Sequence, residues 1–356
     1  MNIQLLDCTI RDGGYALEGI AQSRRMESGF HKKMMARIIR HLTEAGLDLI
    51  EIGRVDAPCP EDGIRSGAYA SVAEVSRMIP QNRKKDQLYC ILFRGPDVPP
   101  GQIPDWNPSL PDVIRVCIRY SEFERSLDYI QALCEKGYRV SIQCAVTMRY
   151  TKQDFQMLFQ RANRMHCWAV YLVDTYGYMK EADVQRLYTL YDQNLDPAIR
   201  VGFHAHNNLN AAYRNTVAFL NAAKGRDRKV VTDSCCMGMG QGAGNLQTEI
   251  ISTYLNETYG KQYDFISVLK ACDIVEANFW QNNIWGYSVE TVIAATYQIA
   301  YGYAMILKNQ YHMTGAEIAC ILKDVPENMR FRYTKENLDS IVKRSGYKGD
   351  KYEKNS

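Results

Sequence analysis

Short, continuously apolar runs rich in Val, Ile and Leu recur eight times in the first two thirds of the chain. They are Ile3–Cys8, Leu47–Gly53, Leu88–Phe93, Val113–Ile118, Val140–Val146, Ala169–Asp174, Val201–His206 and Val230–Ser234. Helical patterns fill most gaps between and after them, at His31–Ala45, Ala70–Met78, Ser121–Lys136, Lys152–Met165, Glu181–Asn194, Leu209–Ala223 and Asn245–Tyr259. A strand that is apolar along its whole length is one buried on both faces, as in a parallel sheet covered by helices. Eight strand–helix repeats over about 250 residues are the arithmetic of a TIM (β/α)8 barrel, an α/β fold, with an open doubly wound sheet as the competing arrangement. One crossover is unusual. Between the third and fourth runs lies "RGPDVPPGQIPDWNPSLP", where proline forbids a regular helix, so this connection is expected to have a short helix or none.

After Tyr259 the pattern becomes wholly helical. The expected organisation is a barrel over residues 1–259, a C-terminal helical domain over 262–340 and a polar tail over 341–356. The stretch "WGYSVETVIAATYQIAYGYAMIL" carries polar and Tyr positions and reads as a buried helix pair rather than a membrane span.

Composition narrows the function. A net charge of +3 on 356 residues argues against nucleic acid or an anionic membrane as partner. The eleven cysteines form no CxxC and sit largely within apolar runs, which reads as buried thiols in a reducing compartment. The first residues lack the basic segment, apolar core and small-residue cleavage site of a signal peptide, and the expected location is the cytoplasm.

Polar residues collect at the C-terminal ends of the runs, where a TIM barrel builds its active site. The seventh run ends "VGFHAHNNLN". His204 and His206 are two apart, so on a strand they point to one side and offer half of a metal site. Asp12, just past the first run in "TIRDGG", which is expected to be a loop on the end of that strand, supplies a carboxylate from a neighbouring strand end. Two imidazoles and one carboxylate leave coordination positions open for water and substrate, which is a catalytic arrangement. Arg11 cannot ligate a cation, but it can bind a carboxylate or stabilise an enolate oxygen. The eighth run leads into "MGMGQGAGNLQTE", whose glycines, Gly242 among them, let backbone approach a ligand; taken alone, this loop also suits a phosphate or a plain tight turn. Asn245 is expected to start the following helix, with Glu249 in its first turn. The sixth run ends "VDTYG" and the second "IEIGR", which makes Asp174, Thr175 and Glu51 candidate substrate contacts, with Arg54 beside them.

"TIRDGG", "DTYG", "HAHNN" and "GMGQGAGNLQTE", in that order over about residues 3–258, resemble the DRE-TIM metallolyase (HMGL-like) superfamily, and look most like its 4-hydroxy-2-oxovalerate aldolase branch. The resemblance implies Asp12, His204 and His206 as metal ligands, with Asn245 as an added one. It implies that Arg11 stabilises an enolate, and that Tyr287 in the "GYS" stretch is a proton donor reaching in from the C-terminal helices. The aldolases carry a histidine as general base two residues beyond the RDG glycine, and here that place is Tyr15. A phenol with an ordinary pKa of about 10 is a poor base near neutrality.

The expectation is therefore a divalent-metal-dependent lyase, a class II-type aldolase that interconverts a 4-hydroxy-2-oxo acid with pyruvate and an aldehyde through an enolate. Mn²⁺ suits an oxygen-chelating substrate, and Mg²⁺ or Zn²⁺ also fit. The first alternative is an acyl-CoA condensing enzyme or CoA-ester lyase of the same superfamily. It would gain weight were Cys235 or Cys236 reactive, although both read as buried thiols at a strand end. The second is a non-catalytic assembly subunit. Related aldolases pair with an aldehyde dehydrogenase, so that partner and a homo-oligomer are further expectations from the resemblance.

Overall fold

The structure, a computed structural model, describes residues 2–23, 29–61 and 63–346. The last ten residues of the expected polar tail lie outside them. All eight apolar runs are strands: β1 (Ile3–Asp7), β2 (Leu49–Val55), β4 (Leu88–Arg94), β5 (Val113–Ile118), β6 (Arg139–Cys144), β7 (Ala169–Asp174), β8 (Arg200–Ala205) and β9 (Val230–Ser234). A two-residue strand, β3 (Ala68–Tyr69), adds to the outer edge of β2. Neighbours run parallel in the order β1-β9-β8-β7-β6-β5-β4-β2. Pairing of Leu6 with Leu49 and Asp7 with Ile50 joins β1 to β2 and closes the barrel. The open-sheet alternative is thereby excluded.

Helices α2 (Lys32–Ala45), the short α3 (Val72–Ser76), α4 (Phe123–Glu135), α5 (Lys152–Arg164), α6 (Glu181–Asn194), α7 (Ala212–Ala223) and α8 (Thr248–Tyr259) surround it. The proline-rich third crossover contains only a single 3-10 turn, Pro100–Gln102, as its missing backbone donors require. The barrel's apolar cluster runs on past α8 through α9 (Phe265–Phe279) to Trp285, because α9 lays Val268, Ala271 and Val275 against the barrel's flank. A second cluster gathers Ile293 of α10 (Val289–Thr296) with Tyr303, Leu307, Ile318, Leu322 and Ile341 from the helices after it. Val146, Tyr176 and Tyr178, from loops at the C-terminal ends of β6 and β7, join it. Tyr176 Oη donates to the Phe331 carbonyl at 2.6 Å. The C-terminal helices thus sit over the end of the barrel that carries the polar strand ends. Among the described residues no helix is long and apolar enough to cross a membrane.

Two features shape the site. First, "TIRDGG" is not a loop. Helix α1 (Thr9–Ser23) begins two residues after β1 and carries the motif in its first turns. Glycine's poor helix propensity is overridden by packing. A Cβ on Gly14 would lie 1.9 Å from the Ser66 carbonyl oxygen, so only glycine lets this helix press against the 63–66 turn. Second, the barrel interior is not wholly apolar. Glu51, Arg115, Tyr171 and Asp233, from β2, β5, β7 and β9, lie buried within it. A Cβ on Gly202 of β8 would meet the Tyr171 ring at 2.4 Å, so this glycine makes room for that ring. The Arg115 guanidinium lies over that ring, 5.0 Å from the Tyr171 centroid.

Candidate active site

Six charged side chains close a ring beneath the barrel mouth. Arg11 Nη1 pairs with Asp12 Oδ1 at 2.9 Å, and Arg11 Nε with Glu51 Oε2 at 2.7 Å. Arg115 Nη1 meets the same Glu51 oxygen at 2.9 Å, while its Nη2 donates to Asp233. Asp233 Oδ2 accepts from His204 Nδ1 at 2.9 Å, and His204 Nε2 returns to Asp12 Oδ2 at 3.3 Å. Every member is at most 6 % exposed. Two guanidinium groups against three carboxylates leave the ring one positive charge short when His204 is neutral. Buried charge demands compensation, and the deficit lies at the Asp12–His204 edge.

The donors at that edge fit a divalent cation. Asp12, His204 and His206 bring one carboxylate oxygen and two imidazole nitrogens within 4.8 Å of one another. His206 Nδ1 donates to the Asp174 carbonyl at 3.1 Å, as His204 Nδ1 does to Asp233, so each ring, when neutral, keeps an Nε2 lone pair facing Asp12. Asn245 Nδ2 donates to Asp12 Oδ2, and its buried Oδ1 has no partner. A carbonyl oxygen without a donor at such a place is a fourth ligand in waiting.

Protonation follows the same geometry. Burial disfavours the Asp12 carboxylate, but Arg11 and then His204 outweigh it and hold the group far below the usual range. Burial opposes charge on His204, yet hydrogen bonds to Asp12 and Asp233 push its pKa well up. Burial, then the neighbouring His204, lowers His206 to about 4 and keeps it neutral. Asp233 orients His204, and partners of that kind tune ligand affinity 10–100-fold. Asp233→Asn is accordingly expected to weaken Mn²⁺ binding by ~10–100-fold, read by titration calorimetry. An unchanged affinity would show that Asp233 does not orient the ring.

A cavity of about 390 Å³ opens over this edge. Arg11, Asp12, Tyr15, Thr175, His204 and His206 line it, so six residues singled out in the sequence converge there. Thr175 Oγ1 also accepts from the Val146 amide at 2.7 Å. The other expected contacts stand elsewhere. Glu51 lies beneath Arg11, inside the ring. Asp174 is 1 % exposed and accepts the amides of Tyr178 and Met179; burial, against those bonds, raises it to about 7. Gly242 turns back against Asn208. Asn245 does not start a helix: it bridges to His206 in an isolated β pairing, and α8 begins at Thr248. Tyr287 is 66 % exposed and away from the cavity. The aromatic that the C-terminal helices bring to the mouth is Tyr301, where α11 (Tyr301–Asn309) begins.

Tyr15 is clasped by cations. The guanidinium carbons of Arg54 and Arg94 lie 4.5 Å from its ring centroid, and that of Arg11 lies 5.8 Å away. Burial drives its pKa far above the ordinary value despite these arginines, so the phenol stays protonated. Arg54 itself is fully buried and ion-paired with Glu18 and Asp56. Sequence reasoning missed Arg115 and Asp233, although a charge inside an apolar strand run is a visible signal. It also missed Arg94, Gln241 and Tyr301, which also line the cavity.

A closed parallel barrel with one carboxylate and two imidazoles at its C-terminal mouth has the make-up of a TIM-barrel metalloenzyme. Residues 116–275 match the HMGL-like family model. That match spans under half of the chain, and the relatives the chain is similar to are carbon–carbon lyases. The chain is 29% identical over 256 residues to the oxaloacetate decarboxylase of Mycobacterium tuberculosis, covering 69% of this chain and 68% of that one. It is 27% identical over 260 residues to the 4-hydroxy-2-oxovalerate aldolase of Thermomicrobium roseum, covering 71% and 67%. Among solved structures, the N-terminal domain of a candidate aldolase from Bacteroides vulgatus superposes with a TM-score of 0.69 at 22% identity, covering 85% of this chain and 95% of the other.

Proposed function

We propose that the protein is a divalent-metal-dependent lyase that makes or breaks a carbon–carbon bond of a 2-oxo acid through a pyruvate-type enolate. The convergence of Arg11, Asp12, His204 and His206 on one cavity carries this reading. Asp12, His204, His206 and the Oδ1 of Asn245 would hold the cation, with Mn²⁺ the favoured ion. Bound there, it supplies Lewis acidity toward the oxygens of a 2-oxo acid. Arg11 has five N–H donors, more than Asp12 and Glu51 take from it, and directs positive charge to where the enolate oxygen develops. Tyr301, kept a phenol by burial, is a proton donor at the mouth.

Tyr15 favours a second reading of the bond that breaks. Cleavage to an aldehyde needs an acceptor for the hydroxyl proton. Tyr15 cannot serve, and Glu18, the cavity's other carboxylate, already accepts from Arg54, Ser66 and Arg94. Loss of CO₂ from a 3-carboxy-2-oxo acid such as oxaloacetate needs no such base and leaves the same enolate. The name of the Mycobacterium tuberculosis relative agrees with that chemistry.

The test is shared by both. Protein loaded with Mn²⁺, Mg²⁺ or Zn²⁺ is incubated with pyruvate in D₂O, and the methyl proton signal is followed by NMR. Exchange that chelation abolishes is expected. Absence of exchange with stoichiometric bound metal sinks the enolate reading. Oxaloacetate and 4-hydroxy-2-oxo acids, supplied next, separate CO₂ release from aldehyde release.

A further inference from the structure

Behind the three ligands lie two thiols that this chemistry leaves unused. Cys8 follows β1 and Cys235 follows β9, both 0% exposed, and their sulfurs are 3.4 Å apart without a covalent bond. Cys8, Asp12 and Cys235 bring ligand atoms within 4.8 Å of one another, and so do Cys8, His204 and Asp233. Asn245 Nδ2 reaches both Asp12 Oδ2 and Cys235 Sγ, the latter at 3.1 Å. The thiols are therefore continuous with the metal edge and share Asp12 and His204 with it.

We infer that Cys8, Cys235, Asp12 and His204 form a second, thiophilic donor set, one that takes Cd²⁺ or Zn²⁺ in place of the oxygen-seeking ion. Sulfur selects soft metals, whereas carboxylate and imidazole with open positions suit Mn²⁺ or Mg²⁺. The spacing is right. A tetrahedral centre with metal–sulfur bonds of about 2.3 Å sets its two sulfurs about 3.8 Å apart, a small step from the observed separation. Two sulfurs, one oxygen and one nitrogen complete four-coordination. An ion held there draws Asp12 and His204 inward, away from His206 and the cavity. The two sets share ligands, so they exclude each other. A soft ion accordingly displaces Mn²⁺ one for one and stops turnover. The inference concerns the donors alone and holds whichever bond the enzyme breaks.

The experiment is a Cd²⁺ titration of the whole chain, pre-loaded with Mn²⁺. Thiolate-to-cadmium absorption in the ultraviolet and Mn²⁺ release by electron paramagnetic resonance are read together. One Cd²⁺ per chain is expected, with thiolate absorption rising as one Mn²⁺ leaves. Cys8→Ala and Cys235→Ala are each expected to lose that absorption while binding Mn²⁺ within about threefold of wild type, which also reports that they fold. Cd²⁺ bound alongside retained Mn²⁺ overturns the inference in the unaltered protein. So does absorption that persists in both variants, since the ion then sits on other cysteines such as the exposed Cys320. Absence of pyruvate exchange in the Mn²⁺-loaded protein before Cd²⁺ is added, with this competition intact, would count against the enolate reading alone.

Discussion

His204→Ala is expected to abolish metal-dependent exchange and to cut Mn²⁺ affinity more than the ~100-fold that losing a supporting residue costs. His204 has an ion-pair partner on each side, Asp12 through Nε2 and Asp233 through Nδ1. Its removal takes a ligand and leaves the charge deficit where the cation belongs. The fold has reasons to survive. Asp12 keeps Arg11 and Asn245, and Asp233 keeps Arg115. Both carboxylates remain compensated, so the loss is one of binding and turnover rather than of structure. Calorimetry of Mn²⁺ binding and methyl-proton exchange check it together. A variant that binds Mn²⁺ as wild type does would remove His204 from the ligand set, and with it the proposed centre.

Why these residues were readable, and others were not, follows from what local sequence encodes. A strand that is apolar throughout announces burial on both faces, so the eight barrel strands could be placed within a residue or two, as at Val113–Ile118 and Val230–Ser234. His204 and His206 declared themselves through two-residue spacing on such a strand. The helical state of "TIRDGG" was hidden, because two glycines argue locally for a turn while contact with the 63–66 turn decides for a helix. Tyr301 and Tyr287 are alike in sequence context. Which one reaches the mouth depends on how the helices after Trp285 pack against Val146, Tyr176 and Tyr178, a long-range matter. Arg115 and Asp233 could have been found. Each interrupts an apolar run, "VIRVCI" and "VVTDS", and a charge there must meet its opposite across the barrel.

Arg115 also carries the largest expected effect on stability. Its guanidinium is 1 % exposed and holds Glu51, Asp233 and the Gln143 Oε1 together inside the barrel. Breaking a buried pair from one side costs about 3–5 kcal/mol, since the abandoned charge stays in the interior. Arg115→Met keeps the apolar stem and removes only the charge. The ring is then left with three carboxylates facing Arg11, and a loss of about 3–5 kcal/mol in denaturant unfolding near pH 8 is expected. The pH dependence gives a sharper signature. In wild type Asp233 is held low, chiefly by Arg115 against the penalty of burial, so it contributes stability that is present above its unfolded pKa and lost on acidification. Without Arg115, burial dominates and the folded pKa rises above the unfolded one. The penalty is then absent at low pH and grows as pH climbs through the shifted value. Unfolding midpoints at pH 5 and pH 8 must therefore diverge from wild type more at pH 8. Equal deficits at both would show that the arginine contributes packing alone, and a deficit below about 1 kcal/mol would mean that water or Arg11 already compensates the two carboxylates.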